Sequence, residues 1–403
     1  MAGNGPAPLA GVNVIELAHV MAGPVCGLML ADLGADVIKV ERAPQGDPSR
    51  EDDTYTIAGE VASFMMVNRN KRGIAVDLKT DGGRRVLHRL LEGADVLLEN
   101  YRQNTIEKLG FGYSSLKDRY PRLVYCAISG FGRSGPYADR PGFDLIAQGM
   151  SGIMSYTGEG QGRPPVKCGA PVTDIVAGIL AAMGTISALF QRAETGRGQM
   201  VDTSLFEAGV VLSYWQSAIC LAGGGVPGPM GSAHPLSAPY QAFETADGWL
   251  TLGAANQANW LRLVEAVGVP TLVEDPRFTT NALRLHNRAE LEDVLNPIFR
   301  TQTRAEWMAR LQDSGVPAGP ILNVAEMLQD PQVLARQMNV AVPHARAGSM
   351  QTLGMPVKFS DAHAGPIAGA PLLGEHTREV LMEHGFSETE IEGFIAESAV
   401  VAG

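Results

Sequence analysis

The sequence contains little cysteine, and its cysteines are far apart. Its 403 residues include 4 cysteines, Cys26, Cys126, Cys168 and Cys220, and no two of them have the CxxC spacing. Neither a disulfide framework nor a zinc site built on paired cysteines is therefore expected. We expect reduced thiols, a cytoplasmic location and no metal cofactor.

Basic residues are also in short supply. Lys and Arg total 32 against 43 for Asp and Glu, which gives a formal net charge of -11. Nucleic acids and anionic membranes bind basic surfaces, so neither is expected as a partner. A small anionic ligand needs only a local cluster of basic groups, and this class stays open.

Long apolar runs are missing as well. The longest, Ile175 to Phe190, has 16 residues and includes two glycines. A membrane span needs about 20 residues, so this run predicts a buried helix. The N-terminal segment MAGNGPAPLAG has neither the basic nor the apolar region of a signal peptide, and we expect none.

The sequence does contain a regular alternation of apolar strands and helical segments. Strands are predicted at residues 12–17, 36–41, 73–78, 95–100 and 123–131, with helical patterns between them. Strands that alternate with helices form parallel sheets covered on both faces. The pattern therefore predicts an α/β fold with a doubly wound parallel sheet.

A second, smaller domain is predicted after a stretch rich in Gly and Pro, LAGGGVPGPMGSAHPLSAP. The segment YQAFETADGWLTLGAA has two apolar runs around Asp247-Gly248, which indicates a β-hairpin. Helical patterns with polar faces follow. We predict a large domain over 1–205, a linker over 206–238, a small α+β domain over 239–325 and a return to the large domain over 326–403.

The first strand–helix turn, Ala18 to Gly27, invites comparison with a dinucleotide site. Glu41 ends the second strand, where a ribose-binding acid would stand. The glycines, however, run G-P-x-x-G from Gly23 and not G-x-G-x-x-G. We therefore favour an anion of another kind at the helix N-terminus over NAD, with a plain tight turn as the alternative.

Basic residues cluster near the ends of the predicted strands. They are Lys39, Arg42, Arg69, Lys71, Arg72, Arg102 and Lys108. Ligands of open α/β sheets bind beyond the carboxyl ends of the strands, and the planar fork of Arg suits phosphate. The cluster favours a phosphorylated ligand such as a nucleotide or CoA over a set of solvated surface charges.

Asp174 is the candidate nucleophile. It stands in GAPVTDIVAG, at the start of the predicted apolar helix. Aspartate is also a preferred N-cap, so capping alone is the alternative role, with Thr173 as a second candidate cap. The helix dipole favours the ionised carboxylate, which is a usable nucleophile.

Several segments together resemble the class III CoA-transferase family, also called the CaiB/BaiF family. They are VIELAHVMAGPVCGLMLADLGADVIKVE, NRNKRGIAVDLK, SGFGRSGPYADRPGFD, PVTDIVAG and TGRGQMVD. The resemblance covers nearly the whole chain. It implies a Rossmann-like large domain made from both chain ends, an inserted small domain and a homodimer of interlocked chains.

The resemblance also implies an activity. It places the catalytic carboxylate at Asp174, which would form a mixed anhydride with the donor acyl group and then an aspartyl-CoA thioester. Acyl-CoA and a carboxylic acid are then the substrates, and no cofactor is tightly bound. The implied CoA contacts are His19, Arg42, Asn100 and Lys108, with Arg72 as a further phosphate contact.

Two segments bear on specificity. GAANQANW stands where formyl-CoA transferases have a run of glycines, which argues against formyl and oxalate substrates. GSAHPLSAPYQAF and LRLHNRAEL resemble members of the family that use succinyl-CoA and dicarboxylic acids.

Two other functions remain as alternatives. The α-methylacyl-CoA racemase branch has a histidine where PGFD has Phe143. A racemase needs two groups that move the α-proton, so racemisation ranks second. A CoA-binding protein without catalysis ranks third, and it would not need Asp174.

Overall fold

A computed structural model describes residues 5–51 and 54–403. Residues 1–4 and 52–53, which belong to the predicted large domain, lie outside the described residues. The strands are β1 (Asn13–Glu16), β2 (Asp36–Arg42), β3 (Thr56–Ile57), β4 (Glu60–Val61), β5 (Arg72–Val76), β6 (Val96–Glu99), β7 (Val124–Ser129), β8 (Met200–Ser204), β9 (Tyr240–Thr245), β10 (Gly248–Gly253), β11 (Ala318–Pro320), β12 (Asn339–His344), β13 (Gly348–Leu353) and β14 (Val400–Val401).

Helices follow most of these strands along the chain. They are α1 (Ala22–Asp32), α2 (Ala62–Val67), α3 (Asp81–Glu92), α4 (Thr105–Lys108), α5 (Tyr113–Leu116), α6 (Asp144–Met150), α7 (Ile153–Tyr156), α8 (Val172–Thr195), α9 (Leu205–Val211), α10 (Tyr214–Leu221), α11 (Gln257–Ala266), α12 (Asn281–His286), α13 (Arg288–Phe299), α14 (Arg304–Asp313), α15 (Val324–Gln329), α16 (Pro331–Ala335), α17 (Thr377–Glu383) and α18 (Glu388–Ala396).

A seven-stranded sheet has the order β14-β5-β2-β1-β6-β7-β8. Its strands are parallel except β14, which is antiparallel to β5. The five predicted strands are confirmed as β1, β2, β5, β6 and β7. From β1 the chain first builds toward β5 and then returns to build β6, β7 and β8, so the strand order reverses between β1 and β6. The predicted α/β class with a parallel sheet is confirmed.

Alternate residues of each strand face opposite sides of the sheet, and both sides are covered by helices. Val14 packs in a cluster with Ala181 of α8, whereas its neighbour Ile15 packs in a cluster with Leu87 of α3 and Ile391 of α18. Both strand residues are fully buried. Because each strand face is apolar, the sheet gains hydrophobic burial on both sides.

The predicted apolar helix is α8. Ala177, Ala181 and Ala188 face the core, while Met183 is 60% and Phe190 is 75% exposed. In the described part of the chain, α8 is the one helix that is long and apolar enough to cross a membrane. We interpret it as a core helix with one exposed apolar face, because its small side chains pack against α1 and the sheet.

The chain divides into two units. One comprises the residues up to Ile153, Lys167–Ala218 and Pro331–Gly403, and it holds the seven-stranded sheet. The other comprises Met154–Val166 and Ile219–Asp330. The range 206–238, predicted as a linker, includes most of α9 and all of α10, because apolar residues there recur with helical spacing.

The second unit contains the predicted hairpin. Strands β9 and β10 pair antiparallel, with Thr245 opposite Gly248 and a two-residue turn between them. Strand β11 extends this sheet beside β10. Helices α11, α13 and α14 contribute Trp260, Phe299 and Trp307 to its core. The unit thus combines a three-stranded antiparallel sheet with helices.

Candidate active site

The carboxyl ends of the central strands border a cavity of about 470 Å³. It lies where the strand order reverses between β1 and β6, the place at which open α/β sheets bind ligands. Its volume is typical of a small-molecule site. The lining comes from segments 17–22, 39–42, 46–48, 100–103, 128–130 and 138–143, together with Thr105, Asp174 and Leu205.

Asp174 lies in the first turn of α8, but another aspartate caps this helix. The Asp144 carboxylate accepts hydrogen bonds from Thr173 N at 3.0 Å and from Thr173 Oγ1 at 2.7 Å. Gln148 Nε2 donates to the other carboxylate oxygen of Asp144 at 2.7 Å. The predicted alternatives, capping by Asp174 or Thr173, are therefore wrong, and Asp174 is left for a different role.

The carboxylate of Asp174 is half-buried and borders the cavity. None of the described residues donates a hydrogen bond to it. Burial, followed by the nearby charge of Asp144, raises the pKa of Asp174 to about 7. The expectation that this carboxylate is kept ionised is therefore corrected, because burial and the charge of Asp144 both favour the neutral acid.

His19 borders the same cavity, and its backbone is fixed by Asn100. His19 N donates to Asn100 Oδ1 at 2.9 Å, and Asn100 Nδ2 donates to His19 O at 2.8 Å. Burial is the main cause that lowers the pKa of His19, so its ring is neutral at pH 7. Both residues were predicted as CoA contacts. The structure brings both residues to the cavity, and the side-chain amide of Asn100 is hydrogen-bonded to the backbone of His19.

Arg42, Arg102 and Arg140 supply positive charge to the cavity. All three are exposed, and none forms an ion pair within the described part of the chain. The Arg140 guanidinium stacks on Tyr137 with its carbon 3.9 Å from the ring centroid. Arg42 was a predicted contact and Arg102 belonged to the predicted basic cluster. Arg140 was missed, although it follows the strand predicted at 123–131 and the same strand-end rule applies to it.

Arg72 and Lys108 do not border this cavity. Arg72 begins β5, so it lies at the opposite end of the strand from the cavity. Its guanidinium pairs with Asp36 at 2.5 Å, Glu379 at 3.1 Å and Glu383 at 2.7 Å. Lys108 ends α4 and is exposed. CoA contacts by these two residues remain predictions that the geometry of the cavity does not support.

Much of the predicted basic cluster is structural. Lys39 Nζ lies 3.2 Å from Glu16 Oε1, and Lys71 Nζ lies 2.8 Å from Glu16 Oε2. All three side chains are fully buried. Arg69 pairs with Asp32 at 2.5 Å. The NRNKRG segment leads into β5, and its Arg69 and Lys71 are engaged in buried ion pairs within the fold.

The glycines of the first turn are required by packing. A Cβ at Gly23 would lie 2.1 Å from Ala18 Cβ, and one at Gly27 would lie 1.8 Å from Glu16 Oε2. Glu41, the candidate ribose acid, accepts hydrogen bonds from Arg50 at 2.7 and 2.8 Å. This turn therefore brings α1 close to β1, and its acid is already engaged.

Comparisons with known proteins identify the family of the chain. The family model described as CoA-transferase family III matches residues 9–377. An acyl-CoA transferase of Fusarium pseudograminearum is 42% identical over 95% of this chain and 86% of its own length. A succinate–glutarate CoA-transferase of Agrobacterium fabrum is 38% identical over 93% of this chain and 95% of its own length. The crystal structure of a CaiB/BaiF family protein from Brucella suis is 40% identical, with a TM-score of 0.85 over 94% of this chain and 100% of that chain.

The raised pKa of Asp174 predicts a pH-dependent cost of folding. The folded-state pKa of about 7 exceeds the ordinary aspartate value. At a pH between these two pKa values, the folded chain therefore binds more protons than the unfolded chain. Wild-type stability should therefore fall as pH rises from about 4 to about 7 relative to Asp174→Asn. Urea unfolding across this range measures the difference. A difference that is flat with pH would contradict the assignment.

Proposed function

Because the chain belongs to CoA-transferase family III and is a CoA-transferase, we propose that it transfers CoA from an acyl-CoA to a dicarboxylic acid through Asp174. The observation that carries the proposal is the state of this carboxylate. It borders the cavity, caps no helix and accepts no hydrogen bond from the described residues. A carboxylate without donors keeps its lone pairs available for attack on a carbonyl carbon.

The proposed reaction proceeds through Asp174 in steps. A carboxylate oxygen of Asp174 attacks the donor thioester carbon, the C–S bond breaks and CoA leaves as thiolate. The thiolate then attacks Cγ of Asp174, and the donor acid departs with one oxygen of Asp174. The acceptor carboxylate attacks Cγ of the aspartyl thioester and again releases the thiolate. The thiolate finally attacks the acceptor carbonyl, which leaves an acceptor oxygen on Asp174.

The half-buried setting of Asp174 suits this sequence of steps. A mixed anhydride is hydrolysed by water, so a site that limits water access protects it. Burial also removes hydration from the attacking carboxylate. The cost is a pKa near 7, because the same burial disfavours the charged form. We expect the reactive ionised form to grow as pH rises through this value.

The first test is a mixed pool of acyl-CoAs and carboxylic acids in heavy water, read by mass spectrometry of every CoA ester. New esters are expected with the wild type and are lost in Asp174→Ala, because no other described carboxylate has this geometry. If the acceptor acid carries heavy oxygen, the label should appear in the peptide that contains Asp174.

The controls separate the alternatives. Asp144→Asn retains an acceptor for Thr173, so it should fold and remain active. Deuterium gained at an α-carbon without new esters would replace the proposal with the racemase. Unchanged ester exchange in Asp174→Ala would remove Asp174 from the mechanism.

Arg140 is the proposed partner of the distal carboxylate of a dicarboxylic acid. Arg42 ends β2 and Arg102 stands in the loop after β6, and two guanidinium groups suit the phosphates of CoA. Arg140 instead stands in the loop that leads to Asp144, which caps the helix of Asp174. The Agrobacterium relative is named for succinate and glutarate, which are both dicarboxylates.

Arg140→Gln should therefore discriminate between acceptors. The KM for a dicarboxylic acceptor should rise roughly 10- to 100-fold, the value of a charge-assisted hydrogen bond, with little change for a monocarboxylic acid of equal length. The matched variant Arg42→Gln should instead raise the KM of the acyl-CoA. Equal losses for both acceptors in Arg140→Gln would contradict this role.

A homodimer completes the proposal. Helix α8 exposes the apolar side chains Met183 and Phe190, and α10 exposes Tyr214 and Trp215, which are side chains of the kind that subunit interfaces bury. Sedimentation equilibrium should give twice the chain mass of 42.8 kDa. Phe190→Glu should shift the protein toward monomer, whereas reversal of the charge of exposed Arg163, in Arg163→Glu, should not. A wild-type monomer would contradict the dimer.

A further inference from the structure

Val20 has a backbone conformation that its side chain disfavours. Its φ is 66°, in the left-handed region, where a β-branched residue is a genuine outlier. It borders the cavity between His19 and the start of α1. Such strain persists only where surrounding groups impose it, and it clusters at functional sites.

Asp47 accepts the backbone N–H of Val20. Val20 N donates to both carboxylate oxygens of Asp47, at 3.1 and 3.3 Å. The Asp47 carboxylate is itself fixed by Lys39 Nζ at 2.9 Å, Ser49 N at 2.9 Å and Ser49 Oγ at 2.7 Å. Its side chain is 1% exposed. Asp47 is therefore a rigid acceptor beneath the loop.

The same loop is fixed at the two preceding residues. Lys39 Nζ donates to Ala18 O at 2.8 Å, and Asn100 bonds both backbone groups of His19. Three side chains, Lys39, Asn100 and Asp47, thus hold three consecutive residues. Asp47 and Asn100 stand in the loops after β2 and β6, and Lys39 lies within β2, opposite Glu16 at the end of β1.

The loop determines where α1 begins, and α1 abuts the helix of Asp174. A Cβ at Gly178 would lie 2.6 Å from Ala22 O, so α8 and the first residue of α1 are in close approach. Gly178 is four residues after Asp174 and therefore on the same face of α8. No side-chain cap engages the N-terminus of α1, so the first N–H groups of this helix have no partner of that kind. Because α1 begins at Ala22, these N–H groups lie beside this face of α8.

We propose that Asp47 is a positioning residue for CoA transfer: by holding Val20 in the left-handed conformation, it sets the segment from His19 to Ala22 against Asp174. Asp47 does not react with substrate. Its contribution is to keep the ring of His19 and the first N–H groups of α1 in one place, so that the carbonyl under attack meets Asp174 in a single orientation.

A double-mutant cycle between positions 20 and 47 tests the proposal, with the donor and acceptor found by the pool assay. Asp47→Ala should lower kcat roughly 10- to 100-fold, as misplacement of a reacting group does. Glycine adopts the left-handed conformation without strain. In the Val20→Gly background, Asp47→Ala should therefore cost at least about fivefold less in kcat than it does in the wild type.

A role limited to general stability would not give this coupling. The losses would then multiply, and that result, or a full kcat in Asp47→Ala, would overturn the proposal. Asp47→Asn keeps an oxygen for Val20 N and should retain more kcat than Asp47→Ala. Asp275→Ala removes an aspartate that also accepts a backbone N–H, from Arg277, but in the second unit, and it should leave kcat unchanged.

Two further readouts keep the test decisive. If Asp47→Ala does not accumulate as soluble protein, recovery of soluble protein by added Val20→Gly supports the coupling, and failure to recover it overturns the proposal. The proposal rests on the CoA-transferase activity but not on which acid accepts. The affinity for free CoA can be measured by calorimetry for the same four proteins of the cycle. It should show coupling of the same sign, even if the proposed acceptor class is wrong.

Discussion

The structure around the cavity depends on the ion pairs of two buried lysines. Lys39 and Lys71 share Glu16, and Lys39 also pairs with Asp47. Burial opposes the charge of Lys39, but Glu16 and Asp47 outweigh it and raise the pKa above its ordinary value. Burial lowers the pKa of Lys71 to about 8. Removal of one partner from such a cluster costs about 3–5 kcal/mol, so the ends of β1 and β2 are fixed together by charge.

The strands could be predicted from the sequence, and so could the place of Asp174 in the first turn of α8, because both have local signals. Alternation of apolar strands with helical segments identifies the sheet, and Asp174 at the start of an apolar run identifies the helix end. The pairing of side chains could not be predicted. Asp144 stands 30 residues before Asp174, yet it takes the capping role, and Arg72 was associated with the wrong end of β5.

The charge of Asp174 shows how two local rules can conflict. Its position in the first turn of α8 favours the anion, and this was the basis for expecting an ionised carboxylate. Burial and the neighbouring Asp144 favour the neutral acid and prevail. Asp144 cannot relieve the conflict, because its own oxygens are committed to Thr173 and Gln148. The aspartate that caps the helix thus also contributes to the raised pKa of Asp174.

Helix α8 carries Asp174 in its first turn and an apolar face with Met183 and Phe190 further along. A partner that covers that face would therefore contact the same helix that carries Asp174, the proposed nucleophile. If the cover is a second copy of the chain, subunit association and catalysis share one helix. The turnover rate per chain would then depend on protein concentration, and the enzyme would lose specific activity on dilution before it lost its fold.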